Sequence, residues 1–104
     1  MKILMVGDIV GSPGRTVFAR VVSRLRSSGA VDFVVANAEN AAGGSGLTPQ
    51  IYSKLLRYGV DLVTLGDHAY RKREIISTLE TEDNIVRPAN FSEYAAGKSF
   101  AIAL

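Results

Sequence analysis

The chain has 104 residues, enough for one small domain, and its 47% apolar and 21% charged residues match an ordinary globular protein. The formal net charge of +2 is too small to predict nucleic-acid binding by bulk electrostatics. The absence of cysteine excludes disulfides, thiolate metal sites and cysteine nucleophiles, and it agrees with a reducing compartment. Asp8 interrupts the N-terminal apolar stretch, so we expect no signal peptide, no membrane span and a cytoplasmic location.

The first part of the chain predicts a strand, a helix and a second strand. An apolar run over 2–7 is typical of a strand, and Ser12 and Pro13 then predict the N-cap and first residue of a helix. Gly29 is expected to end that helix. The run over 31–38 is almost wholly apolar, which predicts a strand covered on both faces.

The alternation continues through the rest of the chain. Thr48 and Pro49 predict the start of a second helix, which Gly59 is expected to close. The remaining predicted elements are a strand over 61–66, a helix around 75–79, and strands over 84–86 and 99–104. Repeated strand–helix units with short links predict an α/β fold with a mostly parallel sheet and right-handed crossovers.

We predict a single α/β domain over residues 1–104 that is incomplete at its C-terminus, because the chain stops inside a predicted buried strand. The expectation is therefore that the chain is the N-terminal portion of something longer. A sheet ending there would expose an edge or an apolar face, so we also expect self-association into a homo-oligomer.

Side chains able to bind a metal follow three of the predicted strands. Asp8 follows the first strand, Glu39 and Asn40 follow the second, and Asp67 and His68 follow the third. Parallel strands bring these positions together at the carboxyl edge of the sheet, where open α/β folds bind ligands. Three carboxylates, an amide and an imidazole suit hard or borderline divalent metals.

Each of these residues also has a structural interpretation. Asp8 could order the glycine-rich turn that follows it, and Glu39 could be a solvated residue in a flexible connection. At the sheet edge, however, Glu39 could bridge two metals about 3.5–4 Å apart, as in two-metal phosphoesterase sites. His68 is the only histidine, and a lone histidine is more often structural than catalytic. Beside an acid and after a strand, however, it is suited to donate a proton, because a neighbouring carboxylate tends to keep imidazole protonated.

Two further residues are candidates for substrate binding. Arg71 belongs to a basic cluster predicted to open the third helix, where an anionic substrate would offset unfavourable charge, although a solvated helix end is equally ordinary. Asn90 follows the fourth strand on the same edge. The glycines at 7, 11 and 14 do not form a dinucleotide fingerprint, and no phosphate-loop motif is present, so a nucleotide-binding domain is the weakest alternative.

Four segments resemble the YmdB-like family of bacterial metallophosphoesterases, a branch of the calcineurin-like phosphoesterases. They are GDIVGSPGR at 7–15, NAENAA at 37–42, GDH at 66–68 and RPANF at 87–91. The resemblance covers nearly the whole chain, in order and at fitting separations.

The resemblance implies a phosphodiesterase that hydrolyses 2′,3′-cyclic nucleotides with a hydroxide activated by two metal ions, iron or manganese. By position, Asp8 and Asn40 would face the first metal, Glu39 would bridge the pair, and Asp67 would be a second-metal ligand. His68 would be the general acid or would stabilise charge on the phosphoryl group.

Two departures from the family pattern matter. The third motif of the family is Gly-Asn-His, whereas Asp67 here adds a negative charge, which should reduce Lewis acidity and shift metal preference. Family members are also longer, and their later segments supply three more histidine ligands. The two leading hypotheses are therefore the N-terminal portion of a phosphodiesterase, and a non-catalytic fragment or descendant that binds metal or phosphate in regulation or assembly.

Overall fold

A computed structural model describes residues 1–103 and shows four parallel strands and three helices in alternation. In chain order the elements are β1 (Ile3–Val6), α1 (Gly11–Ser27), β2 (Phe33–Asn37), α2 (Pro49–Tyr58), β3 (Leu62–Thr64), α3 (Ile75–Thr81) and β4 (Ile85–Val86). The strands lie in the order β1-β2-β3-β4, and every neighbouring pair is parallel. The predicted α/β fold with a parallel sheet is confirmed.

The register of the sheet brings the strand ends level. Val6 at the end of β1 pairs with Ala36, and Asn37 at the end of β2 pairs with Thr64 at the end of β3. The loops that follow these strands therefore leave the same edge of the sheet, side by side. This edge is the one at which the sequence predicts the site.

The core lies on one face of the sheet. Val34 and Ala36 of β2 are fully buried there, whereas Phe33 and Val35, which point to the other face, are only partly buried. Right-handed crossovers in the order β1-β2-β3-β4 place successive helices on one side, which explains this alternation. The expectation that β2 is covered on both faces is wrong for the described residues, and Met5 of β1 remains 71% exposed.

The two helices predicted to share a capping pattern start differently. The side chain of Thr48 accepts a hydrogen bond from the Ile51 amide at 3.2 Å, as predicted, and Pro49 is the first residue of α2. The predicted Ser12 cap is wrong, because α1 begins at Gly11, two residues before the predicted first residue Pro13, and has no side-chain cap. The Gly11 amide instead donates to the Asn40 carbonyl at 3.0 Å, so a neighbouring loop satisfies this helix end.

The predicted fifth strand is also wrong over residues 99–103, and Leu104 lies outside the described residues. Only one bridge joins this region to the sheet, between Val86 and Lys98, with the Arg87 amide donating to the Lys98 carbonyl at 2.9 Å. Phe100 and Ile102 are exposed, so nothing within residues 1–103 buries the apolar side chains that suggested a strand. Over the same described range, no helix has both the length and the apolar character needed to cross a bilayer.

We expect Thr48→Ala to lower the free energy of unfolding by about 1 kcal/mol, because it removes a side-chain cap. Ser12→Ala is the matched control and should change it by less than about 0.5 kcal/mol, because Ser12 caps no helix. Urea unfolding of both variants checks the pair. Equal losses would contradict the assignment of the two helix starts.

Candidate metal centre

Three potential ligand atoms, from Glu39, Asp67 and His68, lie within 4.8 Å of one another at the carboxyl edge. Glu39 follows β2 and the other two follow β3, so the parallel register of these strands brings them together. The Glu39 and His68 side chains are mostly buried, 16% and 28% exposed, while Asp67 is exposed. The group is thus partly shielded from water but open on one side.

The segment after Glu39 is held by backbone hydrogen bonds. The Gly46 amide donates to the Glu39 carbonyl at 2.5 Å, and the Gly44 amide donates to the Asn40 carbonyl at 3.1 Å. The Arg15 guanidinium of α1 also donates to the Ala41 carbonyl. This loop is therefore an ordered support for the Glu39 backbone, not a loose connection.

Asn40 links the first and third strand ends. Its Nδ2 donates to Asp8 Oδ1 at 2.7 Å, and its Oδ1 contacts His68 Nδ1. Because an ionised carboxylate only accepts, the amide nitrogen of Asn40 must face Asp8 and its oxygen must face His68. The hydrogen of the neutral imidazole therefore lies on Nδ1, which donates to Asn40, and Nε2 is the free ring nitrogen.

The two neighbouring carboxyl groups make the site suitable for a cation. A hydrogen bond with Glu39, followed by the charge of His68, lowers the pKa of Asp67 below its ordinary value. Glu39 Oε2 also lies 3.7 Å from His68 Nδ1. Two carboxylates this close are stable only with a proton or a positive charge between them.

The donor set fits a divalent metal ion. The site offers carboxylate oxygens, an imidazole nitrogen and an amide, with no sulfur. Ligand atoms about 2.0–2.2 Å from one ion lie within about 4.4 Å of each other, which is close to the observed spread. Oxygen and nitrogen ligands of this kind suit manganese, iron or zinc.

The structure distributes the other predicted residues unevenly. Asp8 lies outside the group of three but is joined to it through Asn40. Arg71 is exposed and close enough for its charge to contribute to the lowered pKa of Asp67. It does not open a helix, because α3 begins only at Ile75. Asn90 is exposed, and no hydrogen bond within residues 1–103 joins its side chain to the group.

Two residues of the site were not singled out by sequence reasoning. Asn37, the last residue of β2, donates from Nδ2 to Glu39 Oε1 at 3.4 Å. Gly66 lies against the Glu39 carboxylate. The sequence offered one signal for each: Asn37 is a polar residue at the end of an apolar strand, and Gly66 is a glycine directly before Asp67.

Comparison with known proteins agrees with this fold. Residues 4–103 match the profile of the family described as YmdB-like protein. The chain belongs to the YmdB-like family. A Bacillus subtilis (strain 168) protein named 2′,3′-cyclic-nucleotide 2′-phosphodiesterase is 45% identical over 98 residues, which are 94% of this chain and 37% of that protein.

Two solved structures resemble the chain. A hypothetical protein from Thermus thermophilus has a TM-score of 0.87 and 40% identity, over 94% of this chain and 38% of that one. A novel phosphatase from Mycoplasma pneumoniae has a TM-score of 0.84 and 30% identity, over 94% of this chain and 36% of that one. The chain therefore spans about a third of the length of the relatives that it matches.

The hydrogen bonds of Asn40 predict the tautomer of His68. This tautomer can be measured without overlap, because His68 is the only histidine in the chain. In metal-free protein we expect the neutral ring to carry its hydrogen on Nδ1, because Nδ1 faces the Asn40 oxygen. Asn40→Ala should shift the population toward the Nε2–H tautomer, as ¹⁵N NMR of the ring would show. Asn90→Ala, an exposed asparagine, is the control, and an Nε2–H ring in the unaltered protein would contradict the assignment.

Proposed function

We propose that this chain forms part of the metal centre of a phosphodiesterase that hydrolyses 2′,3′-cyclic nucleotides or related phosphodiesters. The observation that carries the proposal is the gathering of Glu39, Asp67 and His68 at the carboxyl edge of the sheet. The name of the Bacillus subtilis relative supports the substrate class. Because the chain spans 37% of that relative, further ligands from outside these residues are part of the proposal.

The proposed centre holds two ions, iron or manganese. Glu39 would bridge them, Asp8 and Asn40 would serve the first, and Asp67 would serve the second. When bound, such ions supply Lewis acidity toward a phosphoryl group. Asp67 increases the negative charge of the ligand set and therefore favours tighter binding of the ions at the cost of some of that acidity.

His68 is the proposed general acid. Hydrolysis of a cyclic phosphodiester forms a P–O bond to an oxygen from water and breaks a ring P–O bond, so the departing ribose oxygen must gain a proton. Asn40 accepts the Nδ1–H hydrogen bond whether the ring is neutral or charged, so Nε2 is the atom that gives up the proton. Arg71 and Asn90 are exposed and would bind the anionic substrate near this ring.

A second candidate function is a non-catalytic one, in which the chain binds metal or phosphate in assembly or regulation. It is favoured by the donor set of these residues, in which two carboxylates and one imidazole suffice to bind a cation. The two functions differ in whether hydrolysis accompanies metal binding.

We expect Glu39→Ala to weaken Mn²⁺ binding to the 104-residue chain by more than about 100-fold, because changes in outer-shell partners alone cost about 10–100-fold. Isothermal titration calorimetry measures the affinity. Glu93→Ala removes an exposed glutamate elsewhere and should bind Mn²⁺ as the unaltered chain does. Equal affinity in the Glu39 variant would exclude its bridging role.

Hydrolysis of 2′,3′-cyclic AMP with added manganese separates the two candidate functions when it is measured on a protein that carries this chain together with the further ligands. If that protein is active, His68→Ala should lower kcat by about 100-fold or more, because a general acid contributes about that much, and should leave the metal content unchanged. Loss of metal in this variant would make His68 a ligand instead. Folded protein that binds manganese without hydrolysis would support the non-catalytic function.

A further inference from the structure

Gly66 lies between β3 and Asp67, directly against the carboxylate of Glu39. A Cβ atom built at this position would overlap Glu39 Oε1 and lie 2.5 Å from its Cδ and 2.7 Å from its Oε2. Real Cβ atoms essentially never come within 3.0 Å of another heavy atom. Any residue other than glycine would therefore force the carboxylate to move.

The backbone does not itself require glycine here. Gly66 is not among the glycines with a positive φ angle, so an alanine could adopt the same backbone conformation. Gly59, by contrast, has a φ of 121° at the end of α2. The constraint at position 66 is thus the space that the Glu39 carboxylate occupies.

The nitrogen donors around this carboxylate hold it only loosely. Its hydrogen bonds from Asn37 Nδ2 and from the His68 amide are both 3.4 Å long. The backbone of Glu39 is firmly held, because its carbonyl accepts from the Gly46 amide at 2.5 Å. A clash at position 66 would therefore be relieved by turning the Glu39 side chain away from its neighbours.

We propose that Gly66 is a positioning residue whose missing side chain lets the Glu39 carboxylate reach its place beside Asp67 and His68. The role deepens the proposed function and rests on metal binding by that group. It also explains how a carboxylate after one strand comes to lie against the backbone after the next. At Gly66 the carboxylate lies against main-chain atoms only, so any side chain at position 66 would occupy its space.

Gly66→Ala should weaken Mn²⁺ binding by at least about tenfold in calorimetry while leaving the unfolding midpoint in urea at or above that of the unaltered chain. Gly7→Ala is the matched control, since Gly7 follows β1, has no positive φ, and a Cβ there would meet nothing within 4 Å. It should bind Mn²⁺ as the unaltered chain does. Unchanged affinity in Gly66→Ala would overturn the proposal.

A double variant tests whether Gly66→Ala acts through its contact with the Glu39 side chain or through a wider disturbance of the site. Glu39→Asp shortens the side chain by one methylene, so in the Gly66→Ala background it should cause little further loss or a partial recovery of affinity. Losses that simply add would mean that the two positions act independently, which contradicts the proposed contact.

A metal-free measurement keeps this role distinct from the proposed function. Nuclear Overhauser effects between the Glu39 side chain and the His68 amide should be present in the unaltered chain and lost in Gly66→Ala. Their persistence would overturn the positioning role, whatever the metal affinity. Failure of the unaltered chain to bind Mn²⁺, with these signals behaving as expected, would overturn the metal centre but not the positioning of Glu39.

Discussion

The closeness of two carboxyl groups, Glu39 and Asp67, is the constraint on which the rest of this site depends. Like charges at such separations repel, and the cost rises where water is partly excluded, as it is around Glu39. The fold accepts that cost because hydrogen-bond donors come from the same edge, in the Asn37 side chain and the His68 amide. A bound cation would offset it more fully, which is the physical argument for the proposed metal centre.

Asn40, which follows β2, connects the residues that follow β1 and β3 through hydrogen bonds to Asp8 and His68. A carboxylate after β1 and an imidazole after β3 have no direct contact in this group, and the amide between them satisfies both with its two ends. Its carbonyl is also the acceptor for the first amide of α1. The same residue therefore connects the start of a helix, the Asp8 carboxylate and the orientation of His68.

Strand–helix order, the parallel sheet and the edge at which polar residues gather could be predicted from the sequence, because periodicity and residue type report them. The start of α1 could not, since an acceptor 29 residues away replaces the local Ser12 cap. The run at 99–104 had the composition of a strand, but composition does not supply the neighbour that a strand needs. Gly66 was overlooked because its importance lies in what faces it across the sheet.

The register between β2 and β3 finally decides whether the carboxylates meet. Asp61 sets it at the opposite end of these strands, because its carboxylate accepts from the Val34 amide at 2.8 Å and from Arg26 at 2.5 Å, and its own amide donates to the Val34 carbonyl. A one-residue shift in the pairing of β2 with β3 would turn Val34 away from the core. It would also move Glu39 away from Gly66, against which its carboxylate packs. Burial of apolar side chains and assembly of the polar site therefore select the same register, so the stability of the sheet and the geometry of the site are one requirement.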